Sequence, residues 1–397
     1  MTLDLTAITR QIATMAAAAP WQDQGAGFDL ARKLLATTEP AALRARIAAA
    51  RTSWLVAQPY ATLSARFAPP PLPPAWSVLA TDGSSMTPDR HSPVEFHLLN
   101  IGRVRLTYGP DASAAIDHAP QLAFRPEETH IALPDGVRRL PVDGARLAAK
   151  RAVAELSALA DLAETVAPPS VALQDGSLIL WAIQSEEEAV QDWALEPYLA
   201  AAERLRRANV PLAAYISSPA STDVVNALRV AYCPHVPDEL PAVDCDRCPS
   251  RHQPAGPRCA VIPPATDRWL FERWLRPGER SDLFFSNSKI LDRYRRRDPD
   301  HDVCFFYLHA GLEVARVETS RWVAAQPDLL DLVHAAVYDQ AVRGQGYPTA
   351  LQEAHEAAVI HAGERRLVEH LIDETMARAG VTMRRSAKDT SKRIRAL

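Results

Sequence analysis

The sequence predicts an α/β protein in which a mixed central β-sheet is flanked by helices, with an N-terminal helical extension. Short apolar runs typical of buried strands alternate with helical stretches in the second half of the chain. Strands that read as a hairpin come before this alternation, which favours a sheet with both antiparallel and parallel pairs. The composition, 47% hydrophobic and 23% charged, is that of a globular protein able to bury a large core.

Residues 1–68 are predicted to form the N-terminal helical segment. The segment is rich in Ala, Leu and Arg, and its helices should break near Gly25 and Pro40. The proline-rich stretch from Ala68 to Pro74 is typical of a stiff polyproline spacer. Because the stretch from Leu30 to Leu55 is apolar, its helices must bury one face against the core, a second copy or another protein.

Two strand regions are expected after the spacer. Trp76 to Thr81 is a short apolar run that reaches Asp82-Gly83, so we expect a strand that ends there in a turn. Val94 to Tyr108 is mostly apolar but is interrupted by Asn100 and Gly102, which predicts a hairpin of two strands.

The remaining elements alternate between helix and strand. A helix with Asp143 as its N-cap leads to an apolar strand that reaches Asp175-Gly176-Ser177. The predicted bounds are helix 143–165, strand 170–174, helix 192–208, strand 212–216, helix 221–230, strands 303–308 and 313–318, and a C-terminal helical region with a basic tail.

The pair of Asp-Gly-Ser sequences, at Asp82 and at Asp175, carries the sharpest chemical signal. Each follows an apolar strand. Divalent metals need hard oxygen ligands that are held rigidly, and strand ends supply that rigidity. The alternative is that both sequences are ordinary turns, because Asp-Gly is common turn chemistry.

Glu155 is a third candidate carboxylate. On a helix it shares one stripe with Ala148, Ala152 and Leu159. A glutamate on a core-facing stripe must be paired, neutralised or bound to a metal. The alternative to metal binding is a salt bridge with Arg151.

Taken in order, these motifs resemble those of the NurA nucleases. The resemblance rests on Thr81-Asp82-Gly83-Ser84, the helix with Glu155, Leu173-Gln174-Asp175-Gly176-Ser177, Ala315-Arg316-Val317-Glu318, Gly346-Tyr347-Pro348 and Ala354-His355-Glu356-Ala357. It implies that residues 75–397 are a nuclease domain with an RNase H-like fold. A cysteine-rich insertion at about 233–264 is not part of the family pattern.

The resemblance also implies an active site that binds manganese. Its catalytic residues would be Asp82, Glu155, Asp175, Tyr347 and His355, and all but the tyrosine would hold the metal. Three carboxylates and an imidazole suit Mn²⁺, and a two-metal site is possible, with Mg²⁺ as the alternative ion. Because His355 shares a stripe with Leu351 and Ala358, a hydrogen-bonded core histidine is the alternative.

By the same resemblance the protein degrades DNA, as a 5'-to-3' exonuclease and single-strand endonuclease. It would work as a homodimer beside a HerA-like hexameric ATPase in DNA end processing, repair or defence. The chain contains no Walker-type sequence, so ATP-driven motion must come from such a partner. Two alternatives are a non-catalytic DNA-binding or assembly partner of the translocase, and an RNA-directed hydrolase on the same fold.

Four of the five cysteines lie in the insertion and suggest a structural zinc site: Cys233, Cys245, Cys248 and Cys259. His235 and His252 are substitutes if one thiol is not a ligand. An iron–sulfur cluster uses the same four thiols, and free thiols in a loop are the third interpretation. Cys304, in an apolar strand, is expected to be buried in the core.

The candidate DNA-binding residues are Arg316, Arg384, Arg385, Lys388 and Lys392. Arg316 shares a strand face with Glu318, so a structural ion pair is the alternative there; for the tail it is a solvated end. The net charge of -4 neither supports nor excludes a nuclease.

We expect a cytoplasmic protein that does not contact a membrane. No segment approaches the roughly 18–20 apolar residues that a membrane span needs. The N-terminus lacks the pattern of a signal peptide. In a reducing compartment the cysteines are better read as thiols or metal ligands than as disulfides.

Overall fold

A computed structural model describes residues 3–18, 25–88, 94–235, 243–254 and 256–381. The α-helices in these ranges are α1 (Leu5–Ala18), α2 (Gly25–Thr37), α3 (Pro40–Ala49), α4 (Pro126–Thr129), α5 (Gly144–Ala163), α6 (Glu188–Arg207), α7 (Asp223–Tyr232), α8 (Asp267–Trp274), α9 (Leu291–Arg297), α10 (Arg321–Ala324), α11 (Pro327–Arg343), α12 (Thr349–Ala358) and α13 (Ala362–Arg378). The strands are β1 (Ala50–Arg51), β2 (Gln58–Pro59), β3 (Arg66–Phe67), β4 (Trp76–Met86), β5 (His97–Tyr108), β6 (Ser113–Ala123), β7 (His130–Ala132), β8 (Arg139–Pro141), β9 (Ser170–Asp175), β10 (Leu212–Ile216), β11 (Val243–Asp244), β12 (Arg280–Ser281), β13 (Phe284–Phe285), β14 (Val303–His309) and β15 (Val314–Ser320).

A central sheet of eleven strands organises the molecule, with the main order β2-β13-β14-β15-β10-β9-β4-β5-β6. β4, β9 and β10 run parallel to one another. β5, β6, β14 and β15 are antiparallel to their neighbours. This mixed sheet with flanking helices confirms the predicted RNase H-like α/β fold class.

Alternating side chains of β4 divide the core into two layers. Val78 and Ala80 belong to the cluster that contains side chains of α11 and α12. Leu79 belongs to the cluster on the opposite face, with side chains of α5 and α6. Because strand side chains alternate between faces, Asp82 lies on the same face as Val78 and Ala80.

Two details of the predicted strands are wrong. β4 does not turn at Asp82 but continues to Met86, paired throughout with β5. The stretch that was expected to be a hairpin is the single strand β5, whose second neighbour is β6. Asn100 and Gly102 lie inside β5 and do not interrupt it. Both residues face α12, and Nδ2 of Asn100 donates to the carbonyl oxygen of Ala358 at 2.9 Å.

The N-terminal helices α2 and α3 pack against the rest of the chain. Their buried residues share one cluster with side chains of α7 and α8: Ala31, Leu35, Leu43 and Ile47, with Val224, Leu228, Leu270 and Phe271. The core is therefore the partner of this apolar stretch. Beyond Ala49 the helical prediction is wrong, because β1, β2 and β3 follow. The domain boundaries, 1–68 and 75–397, stay predictions.

Candidate active site

The two Asp-Gly-Ser sequences meet at one end of adjacent parallel strands. β4 and β9 pair from Ser77 opposite Ser170 to Thr81 opposite Gln174. Asp82 and Asp175 are the next residue on each strand, and there the strands part, because β9 ends while β4 continues. Val171 and Leu173 of β9 belong to the cluster with α11 and α12. Strand alternation therefore places Asp175 on the same face as Asp82.

Helix α12 brings His355 to Asp82. Nδ1 of His355 lies 2.7 Å from Oδ2 of Asp82. The imidazole is 63% exposed, which excludes the interpretation as a core histidine. Gly102 lies opposite Asp82 in β5, and a Cβ there would come within 2.2 Å of the carbonyl oxygen of Ala354. The absence of a side chain at Gly102 lets α12 lie this close to the sheet.

Tyr347 makes the corresponding contact with Asp175. Its hydroxyl donates to Oδ1 of Asp175 at 2.8 Å, and its ring meets the ring of Tyr215 edge-on at 5.5 Å. Burial and the neighbouring carboxylate of Asp175 raise the pKa of Tyr347 above its usual value, so the hydroxyl keeps its proton. The preceding loop depends on Gly344, where a Cβ would meet the carbonyl oxygen of Tyr347 at 1.9 Å.

Glu155 approaches the same strand end from α5. It is buried, with Oε1 at 3.2 Å from Nε of Arg151, so the salt-bridge alternative is present. A Cβ at Gly83 would come within 2.6 Å of Oε1, so that glycine leaves the space which the carboxylate occupies. Burial raises the pKa of Glu155 to about 8; Arg151 opposes this shift, and the charges of Asp82 and Asp175 add to it.

The chemistry of this donor set fits a divalent cation. Burial and the charge of Asp82 also raise the pKa of Asp175, against the opposing effect of the Tyr347 hydrogen bond. Within the described ranges, Oε1 of Glu155 has no hydrogen-bond partner beyond its ion pair. The three carboxylates repel one another and are partly shielded from solvent. A hard cation, which prefers oxygen ligands, would stabilise their ionised forms.

A second acidic group lies away from this site: Glu203, Asp298 and His301. Of the described side chains, these three place candidate ligand atoms within 4.8 Å of one another, which fits a divalent metal. The four predicted active-site ligands are less compact. Arg206 already pairs with Glu203 at 2.7 Å and with Asp298 at 3.3 Å, so part of the negative charge of the group is offset without an ion. These three residues share no sequence motif, so the sequence alone did not predict the group.

Glu318 holds the loop that follows β9. Its Oε2 accepts from the hydroxyl of Ser177 at 2.7 Å and from the backbone N–H of Leu178 at 2.9 Å. Its Oε1 accepts from Arg316 at 2.9 Å, and Arg316 also donates to Asp223 at 2.9 Å. Arg316 is only 3% exposed. The structure therefore favours the ion pair over a DNA contact for this residue.

The four cysteines of the insertion line one cavity of about 220 Å³: Cys233, Cys245, Cys248 and Cys259. Burial and the neighbouring thiols of Cys233 and Cys248 raise the pKa of Cys245 to about 11. Cys304 is buried in β14, as predicted. The basic residues Arg384, Arg385, Lys388 and Lys392 lie outside the described residues, so their DNA contacts stay predictions.

Fold and site together define the class: an RNase H-like α/β protein with an acidic site where the parallel pairing of two adjacent strands ends. The NurA domain family matches residues 77–360, a range that includes all five predicted catalytic residues. The chain belongs to the NurA family, which is a family of nucleases. No curated protein matches the chain. Among the helices in the described ranges, none has the length and apolar character to cross a membrane.

Proposed function

We propose that this protein is a metal-dependent DNA nuclease whose active site consists of Asp82, Glu155, Asp175, Tyr347 and His355. One observation carries the proposal. Two carboxylates, next to the point where the parallel pairing of β4 and β9 ends, each have a partner: His355 lies 2.7 Å from Asp82, and Tyr347 lies 2.8 Å from Asp175. Membership of the NurA family supports the same reaction.

Each proposed active-site side chain would have its own role. Asp82 and Asp175 would hold Mn²⁺, or Mg²⁺ as the alternative, and Glu155 would complete the ligand set. The bound ion would lower the pKa of a water molecule and stabilise the leaving oxygen of the phosphodiester. Tyr347 fixes the orientation of the Asp175 carboxylate through its hydrogen bond. Because Asp82 engages Nδ1 of His355, Nε2 is the ring nitrogen left to bind metal or to move a proton.

We further propose 5'-to-3' exonuclease and single-strand endonuclease activity in the cytoplasm, beside a HerA-like hexameric ATPase. Membership of the NurA family supports the nuclease activities and the ATPase partner, and the chain has no Walker-type sequence of its own.

We propose that a homodimer forms through α1 and α13. These helices expose Leu5, Ile12, Leu367 and Leu371, each by more than half. Because the apolar faces of α2 and α3 already pack on the core, these helices are not part of the proposed interface.

The test of the active site is the pair of single substitutions Asp82→Asn and Asp175→Asn. Each should reduce Mn²⁺-dependent cleavage of labelled DNA by about 100-fold or more, because several kcal/mol of charge stabilisation is lost at the transition state. The matched control is Asp161→Asn, whose carboxylate on α5 is 62% exposed and pairs with Arg204. Melting curves should show all three variants folded.

Near-normal nuclease activity in either variant would overturn the assignment. An RNA strand of the same sequence belongs in the same assay. Cleavage of RNA without cleavage of DNA would replace the proposed substrate while keeping the site. No cleavage of either by the wild-type protein with Mn²⁺ would leave the non-catalytic alternative.

A further inference from the structure

The insertion at 233–264 has almost no core of its own. Of its described residues, only Cys233, Ser250 and Ile262 are buried. Its two short 3-10 turns, Cys245–Arg247 and Arg258–Val261, bury no residue. Buried apolar area is the main source of folding free energy, so a segment this poor in it needs another means to hold its shape.

Four thiols from three places in the segment face one cavity. Cys233 follows the last residue of α7, Cys245 and Cys248 enclose one 3-10 turn, and Cys259 lies in the other. The first turn is fixed by the carboxylate of Asp244, which accepts from the backbone N–H of Asp246 at 3.0 Å. This turn brings both thiols of the C-x2-C sequence to the same cavity.

The charge around the thiols is suited to a bound metal. Arg229 and Arg251 line the same cavity as the four cysteines, beside the carboxylate of Asp246. A zinc ion with four thiolate ligands carries a net negative charge, which the two guanidinium groups would partly offset. In the described residues no three of the sulfurs lie within 4.8 Å of one another, so an ion would have to draw them closer.

The segment also contacts the N-terminal helices. β1, which directly follows α3, pairs with β11 through Ala50 opposite Val243. The hydroxyl of Ser53 donates to Oδ1 of Asp246 at 2.9 Å. On α3 itself, the guanidinium of Arg46 donates to the carbonyl oxygen of Cys233. Anything that orders the thiols would therefore also hold the N-terminal segment against α7.

We propose that Cys233, Cys245, Cys248 and Cys259 bind one structural zinc ion, and that this ion fixes the N-terminal helices to the end of α7. Zinc fits because it has no redox chemistry and takes four thiolates in a closed tetrahedral site. The proposal is independent of the nuclease assignment, since none of these residues contacts Asp82 or Asp175.

The direct test is elemental analysis of the full-length protein after dialysis against EDTA, which removes weakly held active-site ions. We expect about one zinc per chain, and less than about a tenth of that in the Cys245→Ser/Cys248→Ser double variant. The control Cys304→Ser alters a buried thiol in another layer and should keep its zinc. X-ray absorption should show four sulfur ligands at about 2.3 Å.

Three results would overturn the zinc assignment: a metal-free protein, iron with visible absorption, or a disulfide in mass spectra of unreduced protein. The role of the ion is tested on wild-type protein stripped with a thiol reagent and then reloaded. Zinc loss should speed amide exchange in α2 and α3 but not in β4 and β5, and reloading should reverse it. Unchanged exchange in α2 and α3 would overturn the structural role, even if zinc is bound.

Discussion

At Glu155, burial opposes the charged form of a carboxyl group that lies in the proposed active site. It occupies the space left by Gly83, beside two further carboxylates, and Arg151 only partly offsets its charge. The folded protein without an ion therefore favours the neutral, protonated form of this carboxyl group at neutral pH, whereas in water the group would be ionised. A bound cation would favour the ionised form instead. The effect of Glu155 on stability is therefore best measured in the ion-free protein.

We expect the substitution Glu155→Gln to remove a pH dependence of stability. In EDTA the folded pKa of about 8 lies above the ordinary value of 4.5. Between those values the folded state keeps a proton that the unfolded state loses, so the free energy of unfolding falls as pH rises. The variant should lose that decline, which amounts to a few kcal/mol in order of magnitude.

The measurement is urea unfolding of both proteins in EDTA, at about pH 5.5 and about pH 8.5. Glu164→Gln is the control: Glu164 is exposed, and its hydrogen bond from Arg204 lowers its pKa. Its charge does not change between the two pH values, so this variant should keep the wild-type slope. Equal slopes for wild type and Glu155→Gln would contradict the prediction.

Arg316 allows the structural and the DNA-binding interpretations to be separated. Arg316→Met would leave Asp223 and Glu318 buried without their shared cation, so we expect a loss of about 3–5 kcal/mol in the free energy of unfolding. The control Arg207→Met changes a side chain that is 76% exposed and should cost less than about 0.5 kcal/mol. Unchanged stability with weakened DNA binding would restore the original assignment.

Among the elements, α12 determines whether the site is complete. Its C-terminal carbonyl at Ala358 accepts from Ser84 of β4 at 2.5 Å and from Asn100 of β5 at 2.9 Å. Polar side chains of β4, which carries Asp82, and of its neighbour β5 thus hold the helix in place. His355 owes its position to this attachment and to the close approach at Gly102.

Gly102→Ala should therefore lower both stability and activity. The new methyl group would collide with backbone of α12, which should cost about 1–3 kcal/mol in unfolding free energy. It should also displace His355 from Asp82 and reduce cleavage by up to about 100-fold. Gly363→Ala in α13 is the matched control, because a Cβ there meets nothing within 4 Å. Full activity in the Gly102→Ala protein would show that α12 does not position the site.

At the scale of the whole molecule, exposed apolar side chains define the expected dimer. Ile12→Asp should shift the protein toward the monomer, because it places a charge on α1, whose described side chains are not buried. Val137→Asp, at an 85% exposed position outside α1 and α13, should leave the mass unchanged. Light scattering at micromolar concentration measures both. A monomeric wild-type protein would contradict the dimer itself.

The sequence predicted what depends on local pattern and missed what depends on distant partners. β9 and β10 are apolar runs buried in the sheet, and their predicted bounds agree with the structure to within one residue. β6 was not predicted because its side chains are almost all exposed, so they show no alternation. In the sequence alone, Asn100 and Gly102 indicate an interruption between two strands. The helix that explains these residues lies more than 250 positions further along the chain, so no local pattern could show it.

The candidate site divides in the same way. The alignment of Asp82 with Asp175 follows from two similar apolar runs that each lead to Asp-Gly-Ser, so it could be predicted even though β4 continues past Asp82. The helical stripe through Glu155 was only partly right: Leu159 is buried, Ala152 is half-buried and Ala148 is exposed. Glu203 and its partners lie in separate elements that only the folded chain brings together.

The contact between His355 and Asp82 spans 273 positions of the chain. A ribosome must therefore synthesise most of the protein before that contact can form. Until α12 has emerged and docked on β5, the nascent chain carries Asp82 and Asp175 without His355 beside them. Closing a loop of this length also has an entropic cost, which the other contacts of α12 must offset. The described strands of the sheet all precede α12 in the chain, so they leave the ribosome before the site can be completed.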